Sequence, residues 1–90
     1  MTFFVVSYDL REGEDYEPII ENLKANNATR ALESFWFVEL AGPASEVLAH
    51  FKVYLPDADK DKLMVVPFDE KPRYTRAFIP TNEWVDARFP

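Results

Sequence analysis

Three segments of this chain carry apolar side chains on both of their faces, and that pattern narrows the folds open to it more than any motif does. In Phe3-Phe4-Val5-Val6-Ser7-Tyr8-Asp9-Leu10, an extended backbone sends Phe3, Val5, Ser7 and Asp9 to one side and Phe4, Val6, Tyr8 and Leu10 to the other. Residues 35–38 and 63–66 read the same way, with Phe, Trp, Val, Leu and Met alternating in both directions. A sheet built from such strands needs a covering layer on each face. A chain of 90 residues buries only about 60–65% of the surface that its unfolded form exposes. The second layer is therefore expected from another copy of the chain.

The rest of the sequence supplies one layer of helices. Asp15 precedes Tyr16, Ile19, Ile20 and Leu23, which recur at i, i+3, i+4 and i+7 and predict an amphipathic helix over 15–26. Pro18 falls in its first turn, where a missing N–H costs nothing, and Asn26-Asn27 can take the left-handed conformation that ends it. Residues 28–40 are dense in strand formers and long enough for two short strands with a bend or bulge between them. After Gly42-Pro43, a second helix is marked by Val47, Leu48, Phe51, Tyr54 and Leu55 and stopped by Pro56. A polar turn over 57–62 leads to Leu63-Met64-Val65-Val66-Pro67-Phe68, a further strand.

Strand, helix, paired strands, helix, strand is the order of a split βαβ, an α+β ferredoxin-like (βαββαβ) sandwich with both helices on one face. We expect that domain over 1–70 and a C-terminal docking or strand-exchange arm over 71–90. The arm contains Tyr74, Phe78, Ile79, Trp84, Val85 and Phe89 and is too apolar for a solvated tail. A homodimer is expected to bury Phe3, Val5, Trp36, Phe78 and Trp84.

Composition excludes several function classes. With no cysteine there is no disulfide framework, thiolate metal site or cysteine nucleophile, and a reducing compartment is permitted. A cytoplasmic, soluble protein is expected, since no signal-peptide pattern or long apolar run is present. Glycine occurs only at positions 13 and 42, so no phosphate-cradling loop exists and nucleotide cofactors are not expected. The net charge of −6 argues against nonspecific wrapping of a phosphate backbone. Residues 1–70 hold six basic and fourteen acidic groups, net −8, while 71–90 hold four basic and two acidic, net +2.

A resemblance to a known group rests on Val5-Val6-Ser7-Tyr8-Asp9, on Leu32-Glu33-Ser34-Phe35-Trp36-Phe37 and on Lys62-Leu63-Met64-Val65-Val66. Over roughly residues 1–70 the chain resembles the SinR-like proteins, small relatives of the second CRISPR-associated adaptation protein (Cas-two) and of virulence-associated protein D. The resemblance implies a ferredoxin-like homodimer in which the strand-end aspartates approach each other and a C-terminal segment can extend the partner's sheet. It also implies that Asp9 is the candidate catalytic residue and magnesium ligand for endonucleolytic phosphodiester cleavage, although other members bind DNA through a protein partner without cleaving it. Where Cas-two proteins tend to show Ser-Val-Phe-Glu, this chain has Ser34-Phe35-Trp36-Phe37, an aromatic in place of the acid.

Each candidate residue has two readings. Asp9 either helps to hold a magnesium ion shared between two subunits or accepts backbone N–H bonds in the turn through Gly13. Arg73 and Arg76, interleaved with Tyr74 and Phe78, either neutralise phosphates beside stacked bases or dock the arm on an acidic surface. The acidic body either binds a basic protein partner or simply keeps the chain in solution. Asp57, Asp59 and Asp61 imitate the start of a calcium loop, but Lys62 and Phe68 stand where glycine and glutamate are required, so a solvated turn is expected. His50, the one histidine, has no companion for a catalytic triad.

Overall fold

The computed structural model describes residues 1–11 and 13–90; of the loop expected over 11–14, Glu12 lies outside the described residues. The elements are β1 (Thr2–Asp9), α1 (Glu17–Ala25), β2 (Thr29–Leu32), β3 (Phe35–Leu40), α2 (Ala44–Lys52), β4 (Lys62–Phe68) and α3 (Pro80–Arg88). The strands form one antiparallel sheet in the order β2-β3-β1-β4. The result is a small α+β fold, compatible with a ferredoxin-like sandwich.

Local chemistry accounts for the boundaries. The Asp15 carboxylate accepts the Glu17 N–H at 3.0 Å, which satisfies one of the unpaired donors at the start of α1. At its other end Asn27 sits at φ 59, and the Ala28 N–H reaches back to the Leu23 carbonyl at 3.1 Å, a left-handed stop that asparagine tolerates. The predicted irregularity within 28–40 is a register shift between Arg30 and Leu32 in the β2–β3 pairing. Pro67 stands in β4, an edge strand, where a proline does not interrupt an interior ladder.

Alternation along β1 gives the sheet its first buried face. Phe4 and Val6 pair in register with Val38 and Trp36 of β3 and with Pro67 and Val65 of β4. Ile19 and Leu23 of α1 and Val47 and Phe51 of α2 close over them, each 3% exposed or less. The one polar link at this centre is Trp36 Nε1–H donating to the Tyr8 hydroxyl at 3.1 Å. Burial pushes the Tyr8 hydroxyl above its ordinary pKa of 10.0, while the hydrogen bond from Trp36 acts the other way. Trp36, expected at a dimer interface, is thus a core residue of the single chain, 2% exposed. Its side chain follows Val38 to the helical face because the period of a strand is two.

The second face is covered in part by the chain's own tail. Helix α3 places Trp84 and Val85 against Ala31 and Phe37, with Phe3, Val5, Phe35, Phe68, Ala77 and Phe89 packed around them. The arm over 71–90 therefore docks on its own sheet as coil and helix, and it forms no strand among the described residues. Trp84 and Phe3, both expected between subunits, are packed against each other in one chain at 6.1 Å between ring centroids. The expectation that a second chain must supply the whole second layer fails for this half. The burial that the apolar residues require is met locally by Trp84, Val85 and Phe89.

Helix α3 stops short of covering the whole face. Beyond it, toward the Asp9 end of β1, Met64 is 64% and Val66 43% exposed, and Val5 and Phe35 are half-buried.

Candidate functional site

The Asp9 end of the sheet is the place where sequence reasoning put catalysis. Asp9 ends β1 on the second face, exposed, and stands directly across from Lys62 of β4. Ser7, Leu63 and Met64 share the shallow depression around it. Among the described residues its carboxylate forms no hydrogen bond or ion pair, including the turn bonds to Gly13 considered above. Asp9 and Lys62 carry opposite charges directly across the antiparallel pair, an arrangement that attracts by about 0.2–1 kcal/mol at most when the side chains meet.

Magnesium demands several oxygen ligands in near-octahedral geometry. No group of three or more His, Cys, Asp or Glu that could hold a metal stands together among the described residues. The nearest cross-strand neighbour of Asp9 is an ammonium group. A single chain thus brings one carboxylate, that of Asp9, to this position.

The carboxylate built into this end of the sheet is Asp61. It is 9% exposed and accepts the Asp57 N–H at 2.8 Å and the Arg11 N–H at 3.4 Å. The Arg11 guanidinium lies 3.2 Å from Asp57 and 3.8 Å from Asp61, and it also pairs with Glu14. Arg11 therefore ties the loop after β1 to the turn before β4. The run over 57–61 is a turn closed on itself, with the Asp59 N–H bound to Asp57 Oδ1 at 3.2 Å. A buried acceptor of two backbone donors could have been sought in this run by asking which aspartate adjoins the apolar start of β4. Asp61→Ala is expected to lower stability by about 2–3 kcal/mol, because two backbone donors lose their acceptor while the Arg11 guanidinium keeps Asp57 and Glu14. The measurement is the urea midpoint at unchanged slope, with Asp59→Ala, whose carboxylate accepts no hydrogen bond, within about 0.5 kcal/mol of the parent.

The tail residues fall at a second place. Arg73 and Arg76 are both exposed, but they line different hollows. Arg73 borders a groove of about 340 Å³ beneath residues 70–77. Arg76 borders a shallower one with Leu32, Glu33 and Phe78. Phe78 is 47% exposed, and its ring lies 5.8 Å from the Arg30 guanidinium, which also faces Trp36 at 5.8 Å. Arg88, which sequence reasoning passed over, holds Glu39 at 3.2 Å and lies 4.1 Å from the Trp84 ring centroid. His50 donates its Nε2–H to Asn22 Oδ1 at 2.8 Å, tying α2 to α1.

No helix among the described residues is long and apolar enough to cross a membrane. No known protein family matches the chain, and no solved structure matches its fold.

Proposed function

We propose that the protein is a noncatalytic interaction module: a ferredoxin-like homodimer that buries the open half of its second sheet face between two copies and offers its acidic body to a basic partner. The observation that carries this reading is the exposure of Met64 and Val66, at 64% and 43%, on the second sheet face along the edge strand β4, where α3 does not reach. An isologous contact through this half-face also sets Asp9 and Lys62, which carry opposite charges, where each can meet its opposite on the other copy. Light scattering at micromolar concentration is expected to give twice the chain mass of 10.5 kDa. A particle of single mass would overturn the reading.

A second reading, a Cas-two-like endonuclease with magnesium between paired Asp9 carboxylates and nucleic acid held by Arg73 and Arg76, is favoured by the exposure of Asp9 on the same open half-face. Cleavage of RNA or DNA that needs magnesium, and that Asp9→Ala removes from an intact dimer, would establish it. On the noncatalytic reading neither the parent nor Asp9→Ala cleaves nucleic acid with magnesium, and the variant's single-chain stability stays within about 0.5 kcal/mol of the parent. Nucleic acid retained at low salt and lost on neutralising Arg73 and Arg76 would place binding on the tail.

A further inference from the structure

We infer that the groove between the second sheet face and residues 70–77 is a binding site for a free amino acid with a large apolar side chain. Its floor is Val5, Ala31, Leu32, Phe35, Phe37 and Phe68, and its mouth carries Glu70 and Arg73. A volume of about 340 Å³ lies at the lower end of the roughly 300–1,000 Å³ that small-molecule sites occupy, enough for one compact ligand.

The mouth determines the chemical class. Lys71 is tied to Asp86 of α3 at 3.4 Å, and the Tyr74 hydroxyl donates to Asn82 Oδ1 at 2.7 Å. Those two anchors hold the segment to the helix, with Pro72 restricting the backbone between them. Glu70 and Arg73 alternate with the anchors and, among the described residues, form no ion pair or hydrogen bond with each other or with any other group. A carboxylate and a guanidinium thus stand unpaired, among the described residues, beside an apolar trough, on a segment held to α3 at Lys71 and Tyr74. A purely anionic ligand would meet Glu70 and a purely cationic one Arg73. A zwitterion with an apolar body answers both charges and fills the floor.

Val5 and Phe35 belong both to this groove and to the half-face that the proposed dimer buries, so the titration is run on the parent and on Met64→Asp, in which the two copies are separated. The test is isothermal titration of the full chain with L-phenylalanine, 3-phenylpropionate and 2-phenylethylamine, with amide shifts locating the site. Phenylalanine is expected to bind at least about tenfold more tightly than either singly charged analogue, with shifts confined to Val5 and its strand neighbours and to residues 31–37 and 68–77. Arg73→Gln is expected to reduce phenylalanine to the level of the amine, and Glu70→Gln to that of the acid. Both side chains are exposed, so neither substitution threatens the fold. Absence of phenylalanine binding up to about 10 mM, an analogue binding as tightly as phenylalanine, or affinity unchanged in both variants would each overturn the inference. Light scattering on both samples reports the dimer separately: absence of binding to monomeric Met64→Asp overturns the groove, whereas a parent of single mass overturns the dimer and leaves the groove standing.

Discussion

Trp84→Ala is expected to destabilise the chain by about 3–5 kcal/mol, a large share of the roughly 5–13 kcal/mol available to a domain of this length. Trp84 is 8% exposed, stacks on Phe37 at 5.9 Å and meets Phe3 edge-on at 6.1 Å between centroids. Its Nε1–H donates to the Asn27 carbonyl at 2.9 Å, which fastens α3 to the end of α1. Truncation removes the ring from between two aromatic neighbours and leaves that carbonyl without its donor. Urea unfolding followed by the remaining Trp36, which reports the opposite face, should show a single transition at a lower midpoint. The shift should not depend on protein concentration, because the packing is within one chain. A concentration-dependent shift would place Trp84 between subunits instead, and a shift below about 0.5 kcal/mol would mean that α3 does not hold the second face.

Met64→Asp is expected to have the opposite profile, leaving the fold intact and separating the subunits. At 64% exposure the side chain contributes little to the monomer, and an aspartate there remains hydrated when the chain is alone. In the proposed dimer the same carboxylate would be buried without a partner, at a cost of about 3 kcal/mol or more, and two-fold symmetry imposes that cost twice. The dimer constant should weaken by at least about 100-fold, while the denaturation midpoint at high dilution stays near that of the parent. Val53→Asp is the control. Val53 is 75% exposed just past the end of α2, away from the sheet face, and its replacement should leave both measurements unchanged. Dissociation by Val53→Asp and not by Met64→Asp would move the interface to the helical side.

The elements through residue 68 were legible because their buried residues recur at one period, although β2 shifts register between Arg30 and Leu32 and α2 ends at Lys52, short of the Tyr54 and Leu55 expected in it. Ile19 and Leu23, and Val47 and Phe51, keep helical spacing and are buried as that spacing requires. The two faces of β1 are visible in its strict alternation. Helix α3 was not legible by the same test, although its buried face also repeats at i, i+3, i+4 and i+7. The residues on it are Thr81, Trp84, Val85 and Arg88, and two of the four count as polar. Thr81 is fully buried because its hydroxyl donates to the Arg30 carbonyl at 3.3 Å. Arg88 spends its charge on Glu39 and lays its planar head against Trp84. Pro80 at the start, Glu83 in the first turn and Arg88 in the last were the remaining signals.

The site was less legible than the fold, for a related reason. Asp9 was singled out by its position at a strand end, but whether a carboxylate has company depends on which loops return to it. The turn over 57–61 does return to that end, and there it is Asp61 that becomes buried under Arg11. The groove under 70–77 needs a helix 10 or so residues later in the chain to anchor its roof, and no local spacing announces it.

The two rims of the sheet bear on how such a chain can grow into larger assemblies. At the β4 rim, Pro67 lacks an N–H and withholds a donor from any strand that would add there. At the β2 rim, the Phe78 N–H already occupies the Ala31 carbonyl at 3.0 Å. Neither rim is a good template for an incoming strand, so open-ended ribbon growth is disfavoured on both sides. The proposed contact between sheet faces uses neither rim, and a two-fold contact of that kind closes on itself and stops at two copies.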